Sequence, residues 1–415
     1  MAIQLNPREY YRFPWSLTDN GISWLEVTSH CNLTCKGCYR DRTSAAHKSL
    51  AEIADDLAVF KKTRVSDCMS IAGGDPLVHP EIVEIVRMVS QGGWKPVLNT
   101  NGLALTATLL RDLKKAGVFG FTFHIDTSQD RSDSPNARKE SDHNQLRQRF
   151  AERLAAEGGI SCAFNQTVTW STLREIPEAI RWAQSNAGIV HTMVFILFRE
   201  PRMVGDFDYY ANGNQVDLCA TYEDTGWGDD RILKAQDAAN QISEADPAYR
   251  PSAYLNGTVD PDSMKWLVGL RVGNSQETFG YVSPKFMEAV QHASHTFRGK
   301  WLSYSDLRFL RTGRAISFLL APFERSMRRI AWNYLKSIPG RPSNLFRRSH
   351  LQAYMIIQPI DFMEDGRMNM CDGCPDITVH EGKLYWSCRL EEIKKYGAFL
   401  TAVPNRHAKP RLSEP

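Results

Sequence analysis

Through its first half the chain alternates short apolar runs with stretches of helical period, at intervals of roughly thirty residues, and that rhythm commits it to βαβ units and a parallel sheet covered on both faces. The first run, residues 22–28, alternates apolar and polar side chains as a strand does, and residues 44–62 then carry Leu50, Ile53, Leu57 and Phe60 at helical spacing. Later strands are expected to end near Gly73 and Thr100 and to run over 121–128, 161–168 and 190–198. Ligands of such sheets gather at the C-terminal strand ends, where loops converge and backbone groups stay free. Chemistry-bearing residues are therefore sought at those ends.

Three cysteines fall at the first of them. Cys31, Cys35 and Cys38, at offsets of four and three and followed by Tyr39, can hold three corners of a 4Fe–4S cube and leave its fourth iron open to a small ligand. The second strand ends in Gly73, Gly74, Asp75 and Pro76, whose glycines let main chain approach a ligand closely. Asn101 and Gly102 follow the third strand, while Asp126, Ser128 and Asn165 fall at the ends of the fourth and fifth. A structural zinc site built from the three cysteines and His30 is the plainer alternative, but such sites usually join two separated ligand pairs. Cys68 and Cys162 sit in apolar strand contexts and read as small core residues.

In this order the motifs resemble the radical S-adenosylmethionine (SAM) superfamily, with Asp75 standing where that family usually has Glu. The resemblance implies an α/β fold, a partial (β/α)6 TIM-like barrel over residues 18–205, a 4Fe–4S cluster on Cys31, Cys35 and Cys38, and SAM as cofactor. It further implies that Tyr39 packs near the adenine, that Gly73, Gly74 and Asp75 hold the amino group, that Asn101 belongs to the cofactor site, and that Asp126, Ser128 and Asn165 face the ribose. Asp126 and Asn165 suit the capping of a turn equally well. Arg174 and Arg199 are both candidates for the SAM carboxylate, because a guanidinium grips a carboxylate with two prongs. The implied activity is reductive cleavage of SAM to a 5′-deoxyadenosyl radical that takes hydrogen from a substrate, with electrons from a reductant such as flavodoxin or ferredoxin.

A second group, Cys371, Cys374 and Cys388, lies near the C-terminus. Ile377 and Val379 alternate with polar neighbours, Glu381 and Gly382 supply turn chemistry, and residues 384–386 read as a returning strand, so a hairpin would bring Cys374 beside Cys388. The spacing resembles the C-terminal auxiliary cluster of the GTP cyclase of molybdenum-cofactor synthesis and, more loosely, the SPASM and twitch extensions of radical SAM enzymes. That resemblance implies an auxiliary 4Fe–4S cluster over residues 361–400 facing the radical site. The cyclase's arginines and terminal glycines are missing, so GTP is not carried over. The fourth ligand is open among Cys219, Asp372, His380 and a substrate atom, and a zinc knuckle with His380 is the alternative.

Residues 206–360 match no module and are expected to form a substrate-facing region, with a helix over 232–242 and a tail at 401–415. From Phe297 to Arg348 twelve Lys or Arg face only Asp306 and Glu324, a local +10, so with +3 overall the remainder carries −7. Phe323, Met327, Ile330 and Tyr334 recur there at helical spacing, with Arg325, Arg328, Arg329 and Lys336 on other faces. Such a helix suits an anionic membrane surface or an acidic, amphiphilic substrate, or simply packs on the barrel; no RNA-binding signature accompanies the charge, and no nucleic acid is expected. No apolar signal region or membrane-spanning run is present, and nine cysteines read as thiols and metal ligands, so a cytoplasmic enzyme, peripheral to the membrane at most, is expected. Its substrate is expected to be small or lipid-like. The alternatives are a peptide or protein maturase, which the short stretch before the first strand disfavours, and a non-catalytic iron–sulfur or zinc protein.

Overall fold

The structure, a computed structural model, describes residues 3–40, 46–199, 207–218, 232–303, 307–363 and 365–404. Its centre is one sheet of eleven strands. In chain order these are β1 (Tyr11–Arg12), β2 (Ile22–Thr28), β3 (Cys68–Gly73), β4 (Lys95–Thr100), β5 (Gly120–His124), β6 (Ser161–Val168), β7 (Thr192–Leu197), β8 (Ala253–Asn256), β9 (Met264–Gly273), β10 (Thr278–Tyr281) and β11 (His350–Ile357). Strands β2 to β7 lie side by side, all parallel, in the order of the sequence. This is the partial barrel that the alternating pattern requires.

Helices α1 (Leu50–Thr63), α2 (Ile82–Gln91), α3 (Ala107–Ala116), α4 (Asn144–Glu157), α5 (Ile176–Ser185) and α6 (Ala235–Ala245) cover one face of the sheet. Each is amphipathic, and Ile53, Phe60, Ile85, Leu113, Phe150, Ile180 and Ile242 enter a single core against strand residues such as Leu98, Phe121 and Phe195. Helix α1 opens with a capping box in which Ser49 and Glu52 satisfy each other's backbone N–H groups.

The sheet does not stop at the sixth parallel strand. β11 pairs with β7 in parallel, β9 is antiparallel to β11, and β8 and β10 are antiparallel to β9. The boundary expected at residue 205 therefore does not divide the sheet, because the backbone edge of β7 is satisfied by a strand that returns about 150 residues later. On the second face, helices α7 (Pro284–Arg298), α8 (Gly313–Leu320) and α9 (Arg325–Gly340) pack Phe286, Met327, Ile330 and Tyr334 against Leu255, Trp266 and Leu351. Three of the four apolar residues singled out for a membrane-facing stripe are thus core; only Phe323 stands outside. Asp67, just before β3, receives Lys95 at 2.6 Å and Arg298 at 2.9 Å, tying the end of α7 to the N-terminal strand ends. That leaves the C-terminal ends free for a site.

Beyond the sheet, β12 (Ile377–His380) and β13 (Lys383–Trp386) form the expected hairpin. Glu381 and Gly382 take φ of 48° and 74°, the left-handed pair that a two-residue turn of this kind needs.

Candidate functional site

A cavity of about 410 Å³ opens at the C-terminal ends of β2 to β7, and both cysteine groups line it: Cys31, Cys35 and Cys38 from the loop after β2, and Cys371, Cys374 and Cys388 from the hairpin's open end. Residues 340 positions apart in sequence thus share one chamber.

The first cysteine loop is fixed on all sides by strand ends. Lys36 N–H donates to the Ser128 carbonyl at 3.0 Å, and Cys35 pairs with Gln129 in an isolated bridge. Asn101 Nδ2 donates to Asn32 Oδ1 at 2.8 Å and to Cys31 Sγ at 3.8 Å. The glycines after β3 serve this same packing. Gly73 has φ of 134°, and a Cβ there would lie 2.1 Å from the Thr28 carbonyl oxygen; at Gly74 it would lie 2.2 Å from that of His30. Any side chain would push the cysteine loop off the sheet.

Asp75, which lines the cavity, and Asp126, beneath it, act as latches. Asp75, 1% exposed, accepts from Leu77 N, Thr100 Oγ1 and Asn101 N at 2.7–2.9 Å, joining the ends of β3 and β4. Asp126 was expected to face a ribose, but it is wholly buried and does not line the cavity. Its oxygens accept from His124 Nε2 at 2.7 Å, from Thr167 N at 2.7 Å, and from Ser128 N at 3.0 Å and Oγ at 2.5 Å. Burial opposes its ionisation, but the adjoining His124 ring and these hydrogen bonds outweigh burial and hold the carboxyl below its usual range. Polar groups that do reach the chamber there include His124, Ser128, Asn165 and Thr167. The sequence motif pointed to the right strand ends; only the side-chain direction was hidden.

Tyr39 lines the chamber with the Arg40 guanidinium 4.8 Å from its ring centre. Arg40 is nearly buried and donates to both oxygens of Glu26, at the end of β2, and to Glu391 Oε1 at 3.4 Å. It therefore joins the first cysteine loop to the C-terminal segment. Of the two arginine candidates, Arg199 lines the cavity and Arg174 is exposed outside it. Arg199 is already engaged: it donates to Asp361 Oδ1 at 2.8 Å, and the buried Lys265 takes Asp361 Oδ2 at 2.5 Å. Sequence reasoning missed this charged group, whose members meet only because β9 and β11 continue the sheet.

The second cysteine group is moored from below. Buried Arg64 donates to the carbonyls of Cys374 at 2.9 Å and Ile22 at 2.8 Å, and Asn20 Nδ2 to that of Gly373 at 2.9 Å. Gly373 has φ of 65°, and a Cβ there would lie 2.1 Å from the Trp15 carbonyl. Asp376 also lines the chamber, its carboxyl pushed up to about 7 by burial, which Arg64 and Arg40 only partly offset. His380 is not near these cysteines. It pairs with Lys383 at the turn end of the hairpin, ~10 Å along the strand from the Ile377–Trp386 pair. A zinc knuckle using His380 is therefore excluded by the register. Asp372 is ion-paired to Arg12 at 2.5 Å, and Cys219 lies outside the described residues. Cys68 and Cys162 are fully buried in β3 and β6.

The donor sets suit iron–sulfur clusters. Burial, reinforced by the neighbouring cysteines, pushes the Cys35 and Cys388 thiols up to about 12, so these two thiols hold their protons unless a cationic centre replaces them. Among the described residues no three His, Cys, Asp or Glu side chains are placed to share one metal ion. A cube gives each thiolate its own iron, so its ligands need not converge on one point.

Residues 25–197 match the family model described as the radical SAM superfamily. It is similar to an AdoMet-dependent heme synthase of Methanosarcina barkeri, 27% identical over 42% of this chain and 50% of that protein. It is also similar to a probable GTP 3',8-cyclase of Methanothermobacter thermautotrophicus, 31% identical over 20% of this chain and 27% of that protein. Among solved structures, SuiB of Streptococcus suis bound to its precursor peptide SuiA overlaps 44% of this chain and 40% of its own at 17% identity and a TM-score of 0.35. The chain thus spans about half, or less, of the curated relatives it matches.

Proposed function

We propose that this protein is a radical SAM enzyme in which two iron–sulfur clusters face each other across one substrate chamber. The observation that carries the reading is the single cavity lined by both cysteine groups. Cys31, Cys35 and Cys38 would hold the first cluster and Cys371, Cys374 and Cys388 an auxiliary one; with SAM bound, the first supplies reductive cleavage to a 5′-deoxyadenosyl radical. The chain's own part is to orient and to exclude water. Tyr39 offers a ring to the adenine, the backbone at Gly73 and Gly74 lies open to an amino group, and Ser128, Asn165, His124 and Thr167 offer polar contacts to the ribose. The same chamber is lined by the apolar side chains of Val194, Ile196, Trp266, Met355, Ile357 and Met370, which supports a small or lipid-like substrate with a hydrocarbon portion. A reductant such as flavodoxin or ferredoxin and peripheral contact with a membrane belong to the same reading.

The test is anaerobic reconstitution with iron and sulfide, followed by SAM and dithionite. Release of 5′-deoxyadenosine, with about eight irons per chain, is expected. Protein that binds iron but leaves SAM intact would make the non-catalytic alternative correct, and about four irons with one zinc would remove the auxiliary cluster.

A further inference from the structure

The basic segment of residues 297–348 does not act through the stripe that its sequence suggests, since Met327, Ile330 and Tyr334 are buried in the core. Its opposite face is the unusual one. Arg325, Arg329, Trp332 and Lys336 recur at steps of four, three and four, which places them on one outward stripe of α9, with Trp332 57% exposed and Lys336 Nζ 5.3 Å from its ring centre. At the corner joining α8 to α9, Leu319 is 72% and Phe323 85% exposed. The corner is held in shape by Arg328, which donates to the carbonyls of Ala321 at 3.0 Å and Pro322 at 3.1 Å.

Among the described residues no carboxylate is ion-paired to this face. Glu324 is the one acidic residue between 307 and 348, and its oxygens accept from Met327 N, Ser283 Oγ and Ser326 Oγ at 2.5–2.7 Å as the N-cap of α9. Among the described residues, Arg325, Arg329 and Lys336 have no ion-pair partner. Aliphatic and aromatic side chains standing clear of their neighbours suit a fluid that closes around them, whereas a protein partner must supply a preformed pocket. Nucleic acid would meet the arginines and leave Leu319 and Phe323 in water.

We propose that the α8–α9 corner docks the protein on an anionic phospholipid surface, with Leu319 and Phe323 entering the boundary between headgroups and acyl chains and Arg325, Arg329 and Lys336 meeting lipid phosphates. In treating the membrane as the setting of the enzyme the inference rests on the reading above, but the surface lies outside the cavity, so either can fail alone.

The test is co-sedimentation of the full chain with vesicles of phosphatidylcholine, with and without phosphatidylglycerol. Binding to the anionic vesicles that weakens with added salt is expected. Each basic residue near such a surface contributes about 1 kcal/mol, or roughly 5-fold. The R325E/R329E double variant should therefore bind at least about 20-fold more weakly, and the L319S/F323S variant should lose binding at unchanged charge. Unchanged melting and SAM cleavage in both variants would show that they fold and that the two readings are separable. Failure to sediment with anionic vesicles, equal binding to neutral ones, or concentration-dependent self-association through this corner in place of vesicle binding would overturn the proposal.

Discussion

The two cysteine groups share a chamber but are held there by opposite means. The first is embedded in the parallel sheet: its loop lies on the ends of β3, β4 and β5, and each support, from Gly73 to Asn101 to Ser128, comes from a strand end within about a hundred residues. The second sits on a two-stranded hairpin outside the sheet, moored by Asn20 and Arg64 from the far end of the chain. A site built into a sheet inherits its rigidity, while a site on a hairpin depends on a few long-range polar contacts.

The sharpest way to break this comparison is to remove one ligand from each group. Cys35→Ala should abolish 5′-deoxyadenosine release, whereas Cys374→Ala should lower bound iron by about half and leave SAM cleavage measurable but uncoupled from product. If both variants lost cleavage equally, the division of labour between the groups would be wrong. The next effect concerns the contact that joins the halves. Arg40→Met leaves Glu26 buried without its cation, while Glu391 keeps Lys394 at 3.0 Å, so anaerobic urea unfolding should show a loss of about 3–5 kcal/mol. A loss under 1 kcal/mol would mean that the two regions stand independently.

A smaller effect separates the two regions by pH. In cluster-free protein the Asp376 carboxyl, raised to about 7, contributes stability that is complete below the unfolded value near 4 and declines as pH rises toward 7. Asp126, held low, behaves in the reverse sense: its contribution is present above about 4 and is lost only on stronger acidification. Between pH 5.5 and 7.5 the Asp376 contribution should therefore fall by about 2 kcal/mol, read as the difference between the native chain and Asp376→Asn, because His143, His191 and His350, which burial lowers to about 4, change in the opposite sense. The subtlest change is at Asn101. Replacing it with Ala removes the N–H donor to Cys31 Sγ, and electrochemistry on the loaded protein should find the first cluster harder to reduce, with the auxiliary cluster unmoved.

The same contrast explains what the sequence made legible. The parallel strands announce themselves because each is a short apolar run bounded by turn residues, and the hairpin does so through alternation about Glu381 and Gly382. Contacts that depend on distant pairing are silent: nothing in residues 253–273 or 350–357 says that they extend the sheet, so the Arg199–Asp361–Lys265 group could not be assembled in advance. Asp126 shows a finer limit. A carboxylate after a strand reads as a ligand or as a latch, and here the His124 ring, two residues earlier, takes it as a hydrogen-bond partner at 2.7 Å. On α9 the basic residues were correctly seen to occupy a separate face, but the apolar stripe beside them was core.

The moorings of the hairpin also set an order of events during synthesis. Arg64 and the Cys374 carbonyl that it binds are separated by 310 positions, so a ribosome must add all of those residues before the second group can close over the chamber. Until then the first cysteine loop, whose supports have already emerged, faces the surroundings without its cover. Under the two-cluster proposal the amino-terminal cysteine group would be accessible to an iron donor before the carboxy-terminal one exists.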